Sequence, residues 1–514
     1  MTIRYIVKPN LYKDSVALMR IAETAQAREG VKRATLLMGT AANKDILAEA
    51  GLLDAAVSGA GANDVMMFVE ADDAVMADAL AEIEHLLAGG AAKGGATDVA
   101  AMLPRSLAMA VGANSGGTQS GLAQISVPGP YAAAEALKAL RLGMHVFMFS
   151  DNVSIEHELA IKQVGVRKGL LVMGPDCGTA IINGVPLGFA NVVRSGSIGI
   201  VAASGTGLQE VTTQIHRLGG GVSQAIGTGG RDVYAAIGGI TMLQALDVLA
   251  ADAATKVIAI VSKPPAPAVT EKVMARLAAI GKPAVVLFLG SDAKGGAANV
   301  RTVATLFDCA AQAVSFAGGK AALAEQAAKV PTIKFSQSQR WLRGLYSGGT
   351  FCTEAQLIWK QLGLRTWSNV PVDKADALPN PKQASREHSA IDLGDDEFTV
   401  GRPHPMIDQA ARIERLLKEA ADPEVAVILL DVVLGYGAHA DPAGALAPAI
   451  REAKAIAAKG GRELAIVAFA CGTDEDPQPL TVQDKALVAA GALVAQSSVA
   501  AARLAAALLA GVKA

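Results

Sequence analysis

The chain has 514 residues, which is too many for a single hydrophobic core and predicts about three domains. Lysine plus arginine (46) nearly balance aspartate plus glutamate (48), and no basic run occurs, so nucleic acid and anionic lipid are poor candidates for the main partner and small-molecule substrates are expected. The sequence shows neither a signal-peptide pattern nor a uniformly apolar stretch of about twenty residues, which predicts a cytoplasmic protein.

Residues 1–95 alternate short apolar runs with helical periods. The runs at 5–7, 34–38 and 65–69 are predicted strands, and helices are predicted at 14–28, 44–50 and 74–88. This pattern is typical of a small α/β domain, and we expect it to be ferredoxin-like. The Gly- and Ala-rich stretch at 88–95 predicts a linker.

The strand–helix rhythm resumes after residue 121 and continues to about residue 190. Open α/β sheets bind ligands where their strands end, so the turns 126–130, 150–154 and 174–178 are three candidate walls of one crevice. The alternative is that these are ordinary turns, because any such sheet must turn at each edge. The candidate binding residues in the turns are Ser126, Pro128, Ser150, Asn152, Gly174, Pro175 and Asp176.

A short apolar run at 197–203 is followed by a turn of small residues and then by an amphipathic segment. Ser204, Gly205 and Thr206 form that turn, where glycine lets backbone N–H groups approach an anion closely. The helix dipole adds roughly half a positive charge at the same place. The pattern therefore predicts a phosphate or carboxylate site, and its alternative is an ordinary helix N-cap.

The last domain, predicted at 391–514, repeats this strand–turn–helix scheme. Residues 331–390 are predicted to connect it to the preceding domain at 191–330, and the polar, proline-bearing stretch 370–389 is interpreted as a linker. A glycine-rich turn containing Gly435, Tyr436 and Gly437 follows the strand predicted at 425–431. We expect this turn and the Ser204 turn to face one anion and to double the local positive field.

Several separate motifs resemble known proteins. The segments 174–178, 196–206 and 227–232 resemble the α subunit of succinyl-CoA synthetase, and 391–394, 430–437 and 471–473 resemble the C-terminal domain of its β subunit. With the segments 10–16 and 346–350, the whole chain resembles the FdrA family of acyl-CoA-synthetase-like proteins. The resemblance implies a Rossmann-like, CoA-binding-type domain at 96–190 and two flavodoxin-like ligase domains at 191–330 and 391–514.

In the synthetases, one helix from each ligase domain points its N-terminus at a single phosphate. The resemblance therefore implies that Ser204, Gly205 and Thr206 bind phosphate from one side and that Gly435, Tyr436 and Gly437 bind it from the other. Two motifs of the family are missing: the Met-Gly-His-Ala-Gly-Ala string of the phosphorylated histidine, and a Gly-x-Thr-Gly-x-x-Gly loop ahead of Ser126. CoA is thus left open as a ligand, while phosphate is expected as a substrate or ligand.

Three further residues are candidates for catalysis. The resemblance places Arg402 and His404 in a loop close to the phosphate site, where Arg402 could clamp an anion through two hydrogen bonds. His404 or His439 could transfer a proton near neutral pH. The alternative for each is a surface-loop residue. The four cysteines lie far apart without a Cys-x-x-Cys pair, so no metal site is expected.

These observations predict an enzyme that transfers an acyl group to or from phosphate. The resemblance implies that the group is carbamoyl and that the chain is a subunit of an oxamate-carbamoyltransferase-like complex in purine or allantoin breakdown. One alternative is an ADP-forming acyl-CoA synthetase that takes its nucleotide chemistry from a partner subunit, since no region corresponds to the ATP-grasp half of the β subunit. The other is a non-catalytic scaffold or regulatory subunit. Partner subunits and a homo-oligomer are expected under each of these hypotheses.

Overall fold

The computed structural model describes residues 2–11, 13, 15–40, 43–44, 47–48, 53–88, 106–113, 121–291, 296–320, 330–399 and 402–510. The chain divides into two compact units. The first comprises Met1–Arg105 and Thr399–Pro403, and the second comprises Ser106–Phe398 and His404–Ala514. Most of the predicted helix at 44–50 and of the predicted linker at 88–95 lies outside the described residues.

The first unit is a three-stranded antiparallel sheet with helices. Its elements are β1 (Thr2–Lys8), α1 (Ser15–Gln26), β2 (Val31–Met38), α2 (Ala55–Ser58), β3 (Val65–Ala71) and α3 (Asp73–Leu87). The strand order is β1-β3-β2, and β3 is antiparallel to both of its neighbours. Strands β1 and β2 are therefore parallel, with α1 joining them and β3 between them, which is the split βαβ arrangement of ferredoxin-like folds. The ferredoxin-like prediction is confirmed.

The two faces of this sheet follow the alternation along β3. Val65, Met67 and Val69 belong to the larger core cluster, whereas Met66 packs in a smaller cluster with Val57 of α2. A side-chain period of two residues in a strand produces this division.

The second unit begins with α4 (Leu107–Ala113) and a three-stranded parallel sheet in the order β4-β5-β6. The elements of this sheet are β4 (Leu122–Ile125), α5 (Gly129–Arg141), β5 (His145–Met148), α6 (Ile155–Lys168) and β6 (Val172–Met173). Helices between parallel strands are the Rossmann-type rhythm that the sequence predicted.

A seven-stranded sheet follows, in the order β13-β12-β11-β9-β10-β7-β8. Its strands are β7 (Thr179–Ile182), β8 (Val185–Gly188), β9 (Ser195–Ala202), β10 (Val222–Gly227), β11 (Val257–Ser262), β12 (Ala284–Phe288) and β13 (Val300–Thr302). Its helices are α7 (Gly205–Arg217), α8 (Ile240–Ala251), α9 (Pro267–Ile280) and α10 (Leu306–Phe316). The five parallel strands from β9 to β13 have the flavodoxin-like order 2-1-3-4-5. The antiparallel hairpin β7–β8 extends this sheet, which therefore starts before residue 191.

The last sheet has six parallel strands in the order β15-β16-β14-β17-β18-β19. Its strands are β14 (Trp341–Tyr346), β15 (Trp367–Ser368), β16 (Ser389–Asp392), β17 (Val425–Val433), β18 (Ala465–Cys471) and β19 (Leu493–Ala495). Its helices are α11 (Gly349–Gln361), α12 (Asp396–Thr399), α13 (Ala410–Ala421), α14 (Pro442–Lys459), α15 (Leu480–Ala489) and α16 (Ser498–Ala510), with a 3₁₀ turn at Lys374–Asp376. Without β15 at its edge, this sheet also has the order 2-1-3-4-5, so both ligase domains are flavodoxin-like as predicted.

The boundary predicted at residue 391 differs from this architecture. Strand β14 is the first strand of the last sheet and lies inside it, so residues 331–390 contribute to the final domain rather than connecting to it. The segment 370–388 runs between two strands of one sheet instead of between domains. Strand β14 was missed because Arg343 interrupts its apolar run in the sequence. In the fold this arginine is buried and forms an ion pair of 2.9 Å with Glu419.

The two flavodoxin-like domains share one hydrophobic cluster. It contains Leu208 and Val211 of α7 together with Phe351 and Trp359 of α11. The indole of Trp359 also donates a hydrogen bond of 2.9 Å to the carbonyl of Ala502 in α16. Helices α7 and α11 are thus fixed against each other in a common core. Among the described helices, none combines the length and the apolar character needed to cross a membrane.

Candidate functional site

The N-termini of α7 and α11 meet at the junction of the two flavodoxin-like domains. Ser204 is the N-cap of α7, and its hydroxyl accepts a hydrogen bond of 3.0 Å from the Gly207 N–H. The same hydroxyl is hydrogen-bonded to that of Thr350, in the first turn of α11. A Cβ atom added to Gly348, the N-cap of α11, would lie 2.7 Å from the Thr206 hydroxyl oxygen.

Each of these helix ends follows the first strand of its flavodoxin-like domain, β9 or β14. The first N–H groups of a helix have no partner within it, and no side chain caps α11. Two positive helix ends in contact make a strong site for an anion. Ser204, Gly205 and Gly349 remain partly exposed, so a ligand can reach them. We call this place the paired helix ends.

The structure brings α11 to the Ser204 turn, and the turn that contains Gly435, Tyr436 and Gly437 lies beside α7 farther along, where the Leu434 carbonyl is 3.5 Å from the side-chain amide nitrogen of Gln209. That turn follows β17, the third strand of its domain, and the carboxylate of Asp441 already caps the helix behind it by accepting from the Gly444 N–H at 3.0 Å. The Tyr436 N–H donates to the Ala190 carbonyl at 2.9 Å. Helix α11 was not expected at the Ser204 turn, because the first strand of the last domain had been assigned to a connecting segment.

The two glycine-containing turns nevertheless share a neighbour, Phe189. Its ring lies 2.9 Å from the position of a Cβ atom on Gly437. Its carbonyl accepts a hydrogen bond of 2.7 Å from Thr179, whose hydroxyl lies 3.4 Å from a Cβ position on Gly205. Phosphate binding by Gly435, Tyr436 and Gly437 stays a prediction.

A carboxyl group lies beside the paired helix ends. Asp392 ends β16 and is 6% exposed, and its Oδ2 lies 2.8 Å from the position of a Cβ atom on Gly349. The ammonium nitrogen of Lys263 is 3.7 Å from the same position. Burial raises the pKa of Asp392 to about 7, although the Gly394 N–H and Lys263 act in the opposite direction. Asp392 thus titrates near neutral pH. Sequence reasoning missed it, because a single aspartate at a strand end resembles any turn residue.

His404 lies next to this carboxyl group. Its Nε2 is 2.7 Å, and the Oδ1 of Asp392 is 3.2 Å, from the position of a Cβ atom on Gly394. Its Nδ1 accepts from the Met406 N–H at 3.2 Å, which assigns the proton of the neutral ring to Nε2. Burial, with a smaller contribution from Arg412, lowers the pKa of His404 to about 4. The proton transfer near neutral pH expected of His404 does not fit this pKa, and the neutral ring offers an N–H donor instead.

The other two catalytic candidates have different surroundings. The Nδ1 of His439 accepts from the Asp441 N–H at 3.0 Å. The backbone N–H of His439 donates to the Met406 carbonyl at 2.8 Å. His439 therefore stabilises the turn between β17 and α14. Arg402 belongs to the first unit, where its N–H donates to the Thr399 carbonyl at 3.1 Å. Its role at a phosphate site stays a prediction.

A buried ion pair supports the turn that precedes α11. The carboxylate of Asp431 accepts from the N–H of Ser347 at 2.9 Å and from its hydroxyl at 2.7 Å. The guanidinium of Arg412 lies 2.8 Å from the same carboxylate, and both side chains are buried. These bonds fix the turn and hence the direction of the helix end.

The three turns predicted to form one crevice do meet. The Ser150 hydroxyl donates to the Val127 carbonyl at 2.6 Å, and the Asp176 N–H donates to the Ser150 carbonyl at 2.9 Å. These contacts bring together all the predicted residues, Ser126, Pro128, Ser150, Asn152, Gly174, Pro175 and Asp176, at the C-terminal edge of β4, β5 and β6.

The edge is rich in carboxylates. Desolvation in the crevice, with added repulsion from Asp151 and Asp396, raises the pKa of Asp176 to about 6, although its carboxyl group is still reached by solvent. Arg231 forms an ion pair of 3.0 Å with the buried Glu158, which Lys162 also contacts at 3.0 Å. Binding of CoA by this edge stays a prediction.

Three family models match the chain. A model described as CoA-ligase matches residues 345–508, one described as CoA binding domain matches 193–290, and one described as AllF, heavy metal-associated domain, matches 1–101. The CoA-ligase match begins in β14 and so includes the N-terminus of α11. The CoA-binding match contains the Ser204 turn, whereas the resemblance had implied a CoA-binding-type domain at 96–190.

The family of this chain follows from its similarity to known proteins. The protein YahF of Escherichia coli K12 is 44% identical over 506 residues, which are 97% of each chain. The mitochondrial succinate–CoA ligase [ADP-forming] subunit α-2 of Trichomonas vaginalis is 33% identical over 118 residues, which are 22% of this chain and 38% of that protein. The chain belongs to the family of YahF, which is the FdrA family of acyl-CoA-synthetase-like proteins, and it is related to ADP-forming acyl-CoA ligases.

One similar solved structure is the dinucleotide-forming acetyl-coenzyme A synthetase 1 of Ca. Korarchaeum cryptofilum in complex with phosphate and ADP. It is 14% identical, with a TM-score of 0.33 over 76% of this chain and 84% of that one. A score at this level supports no conclusion about the present chain.

The description of the family model that matches residues 1–101, heavy metal-associated domain, raises the question of a metal. Soft metals are held by thiolate and imidazole ligands, but residues 1–101 contain no cysteine and one histidine, His85, which is exposed in the last turn of α3. The described part of the chain contains no group of three or more His, Cys, Asp or Glu placed to hold a metal ion. The side chains of this domain do not fit a heavy-metal site.

Proposed function

We propose that the protein is an acyl-CoA-ligase-like enzyme that moves an acyl group between phosphate and the thiol of CoA. The observation that carries this proposal is the contact between Ser204 and Thr350, which joins the N-termini of α7 and α11. The family relationship to ADP-forming acyl-CoA ligases supports it, because those proteins are named for making CoA thioesters.

The paired helix ends suit the phosphate of such a reaction. Phosphate carries up to two negative charges, and the helix N–H groups and the ammonium of Lys263 offer fixed donors and positive charge where it would lie. Transfer of an acyl group also develops charge on the carbonyl oxygen in a tetrahedral intermediate. Donors that are already in place stabilise that charge without reorganisation.

The nucleotide-dependent step belongs, in this proposal, to a partner subunit. The support is the sequence, which contains no Met-Gly-His-Ala-Gly-Ala string to carry a phosphohistidine. The acyl phosphate would then be the intermediate exchanged between the partner and the paired helix ends.

Carbamoyl transfer is the second candidate. It would use the same phosphate site, because carbamoyl phosphate is itself an acyl phosphate. The carboxylates of Asp151 and Asp176 favour it over CoA chemistry, because negative charge at that edge repels the pyrophosphate of CoA, which carbamoyl transfer does not need. The comparisons give no support to carbamoyl transfer or to an allantoin pathway, and we therefore place it second.

The test is phosphate-dependent release of CoA thiol from succinyl-CoA, with carbamoyl phosphate plus oxamate as a parallel reaction. The variant Gly348→Ala places a methyl group against Thr206 and should push the helix ends apart, so we expect at least a tenfold loss of turnover. The matched control is Gly121→Ala, because a Cβ atom at that glycine meets no atom within 4 Å. Turnover only with carbamoyl phosphate would reverse the order of the candidates, and turnover that Gly348→Ala leaves unchanged would contradict the site.

A further inference from the structure

We propose that Asp392 is a catalytic residue that exchanges a proton with the substrates at the paired helix ends. This inference rests on the proposed function and deepens it. Asp392 places Oδ2 2.8 Å from the position of a Cβ atom on Gly349, the first residue of α11, and so directs it to one of the paired helix ends. In this proposal the helix ends bind the anion, and Asp392 accepts and donates the proton that acyl transfer requires.

The Oδ2 atom of Asp392 is available to a ligand. The other oxygen, Oδ1, accepts from the Gly394 N–H at 3.0 Å. Within the ranges that the structure describes, Oδ2 accepts no hydrogen bond. Although the side chain is only 6% exposed, Oδ2 keeps contact with solvent, so a ligand can reach it and replace the hydrogen bonds of water. The carboxyl group is therefore suited to hold a proton there or to bond to a bound molecule.

Two glycines make room for this carboxyl group. A Cβ atom on Gly349 would meet Oδ2 of Asp392 at 2.8 Å, and one on Gly394 would meet Nε2 of His404 at 2.7 Å. Neither glycine has a positive φ angle, so their backbone conformations are open to other residues. Space next to Asp392 accounts for glycine at position 349, and space next to His404 and the Ser347 carbonyl, 2.6 Å from the Cβ position, accounts for glycine at position 394.

The charged groups around Asp392 come from several elements. Lys263 after β11 attracts its negative charge, whereas Asp395 and Asp431 repel it. Two further titratable neighbours are Cys352 of α11, whose pKa is raised by burial and by Asp392, and His404, which is neutral at pH 7. Burial and repulsion together exceed the effect of Lys263, and the carboxyl group exchanges its proton near neutral pH.

Asp392 alone can accept and return the one proton that this reaction moves. When the CoA thiol attacks an acyl phosphate, the sulfur–carbon bond forms, the bond from the acyl carbon to the phosphate oxygen breaks, and the thiol proton passes to the Asp392 carboxylate. The carboxyl group then gives that proton to the departing phosphate, which leaves as hydrogen phosphate. The reverse reaction uses the same steps in the opposite order. A group that titrates near neutral pH is suited to exchange protons with both a thiol and a phosphate.

Sulfate binding measured by calorimetry between pH 5.5 and 8.5 tests this role without relying on activity. Sulfate keeps two negative charges throughout this range, so a pH dependence of its affinity reports on the protein. In the wild-type protein, affinity should fall roughly tenfold per pH unit above about pH 7, as Asp392 loses its proton. Asp392→Asn should abolish that dependence and bind at least tenfold more tightly than wild type at pH 8.5. The matched control Asp247→Asn, at a surface carboxylate paired with Arg276, should behave as wild type.

Turnover of the same variants separates this inference from the proposed function. Asp392→Asn should lower phosphate-dependent turnover about a hundredfold without raising the KM for phosphate, while Asp247→Asn leaves it unchanged. An unchanged pH dependence of sulfate affinity, or unchanged turnover, in Asp392→Asn overturns the role of Asp392. A sulfate affinity linked to Asp392 without any acyl transfer by wild type overturns the proposed function and supports the proton exchange. Failure of sulfate to bind overturns both.

Discussion

The hydroxyl groups of Ser204 and Thr350 are hydrogen-bonded although 146 positions separate them in the chain. Ser204 caps the helix after the first strand of one flavodoxin-like domain, and Thr350 lies in the first turn of the equivalent helix of the other. Neither domain could form the paired helix ends alone. The site depends on how the two domains pack, and its hydrogen bond should therefore couple their stability to anion binding.

A double-mutant cycle on Ser204→Ala and Thr350→Val measures this coupling. The interaction free energy from urea unfolding should be about 0.5–1.5 kcal/mol, the usual contribution of a hydrogen bond. Phosphate affinity should fall in each single variant. The control cycle uses Ser223→Ala and Thr255→Val, a hydroxyl pair at 2.7 Å outside the site. We expect a similar loss of stability there with unchanged phosphate affinity, and an equal loss of affinity in both cycles would remove the special role of the first pair.

The ion pair under the α11 turn should matter for stability. Arg412→Met leaves the buried carboxylate of Asp431 without its cation, which should lower the free energy of unfolding by about 3–5 kcal/mol. Chemical denaturation measures this directly. The control is Arg276→Met, which removes an exposed ion pair with Asp247 and should change stability by less than about 1 kcal/mol. Equal effects of the two substitutions would show that the buried pair is not needed to hold the turn.

Asp392 should make stability depend on pH in a defined direction. Its pKa is about 7 in the folded protein and about 4 in an unfolded chain, so the unfolded chain loses the proton first as pH rises. Stability therefore falls between about pH 4 and pH 7 by a few kcal/mol. Asp392→Asn removes this loss and should stabilise the protein at pH 7.5 but not at pH 4. The same stability difference at both pH values would contradict a raised pKa.

His404 should act in the opposite direction over nearly the same pH range. Its pKa is about 4 in the folded protein against about 6.5 when unfolded, so the unfolded chain takes up the proton first as pH falls. Its contribution should reduce stability by up to about 3 kcal/mol between pH 6.5 and pH 4, and should have no effect above that range. His404→Gln should remove this loss, so urea unfolding at a series of pH values should show the variant gaining stability relative to wild type as pH falls from 6.5 to 4. A profile that stays the same would show that His404 titrates normally.

The alternation of strands and helices could be predicted from sequence because parallel strands are buried on both faces and form continuous apolar runs. Strands β9, β11 and β17 are of this kind. Strand β14 was not found, since Arg343 interrupts its apolar run and is neutralised by Glu419 and Asp422, which are distant in sequence. One missed strand displaced the start of the last domain.

The same displacement limited what could be predicted of the site. The Ser204 turn was recognised because an N-cap with glycines is a local pattern. Its partner at Gly348 and Gly349 was not, since only the packing of two domains brings the turns together. Asp392 could not be identified because its pKa depends on burial among elements far apart in the chain. The role of Arg402 remains a prediction.

A crystal structure determined from crystals grown with phosphate would test the paired helix ends most directly. We expect one phosphate bound to N–H groups of the Gly205–Thr206 and Gly349–Thr350 turns, at donor–acceptor distances of about 2.7–3.1 Å. Asp392 Oδ2 should lie within hydrogen-bond distance of one phosphate oxygen. A phosphate held at Gly435–Gly437 away from α11, or paired helix ends that stay empty when phosphate is saturating, would contradict the account.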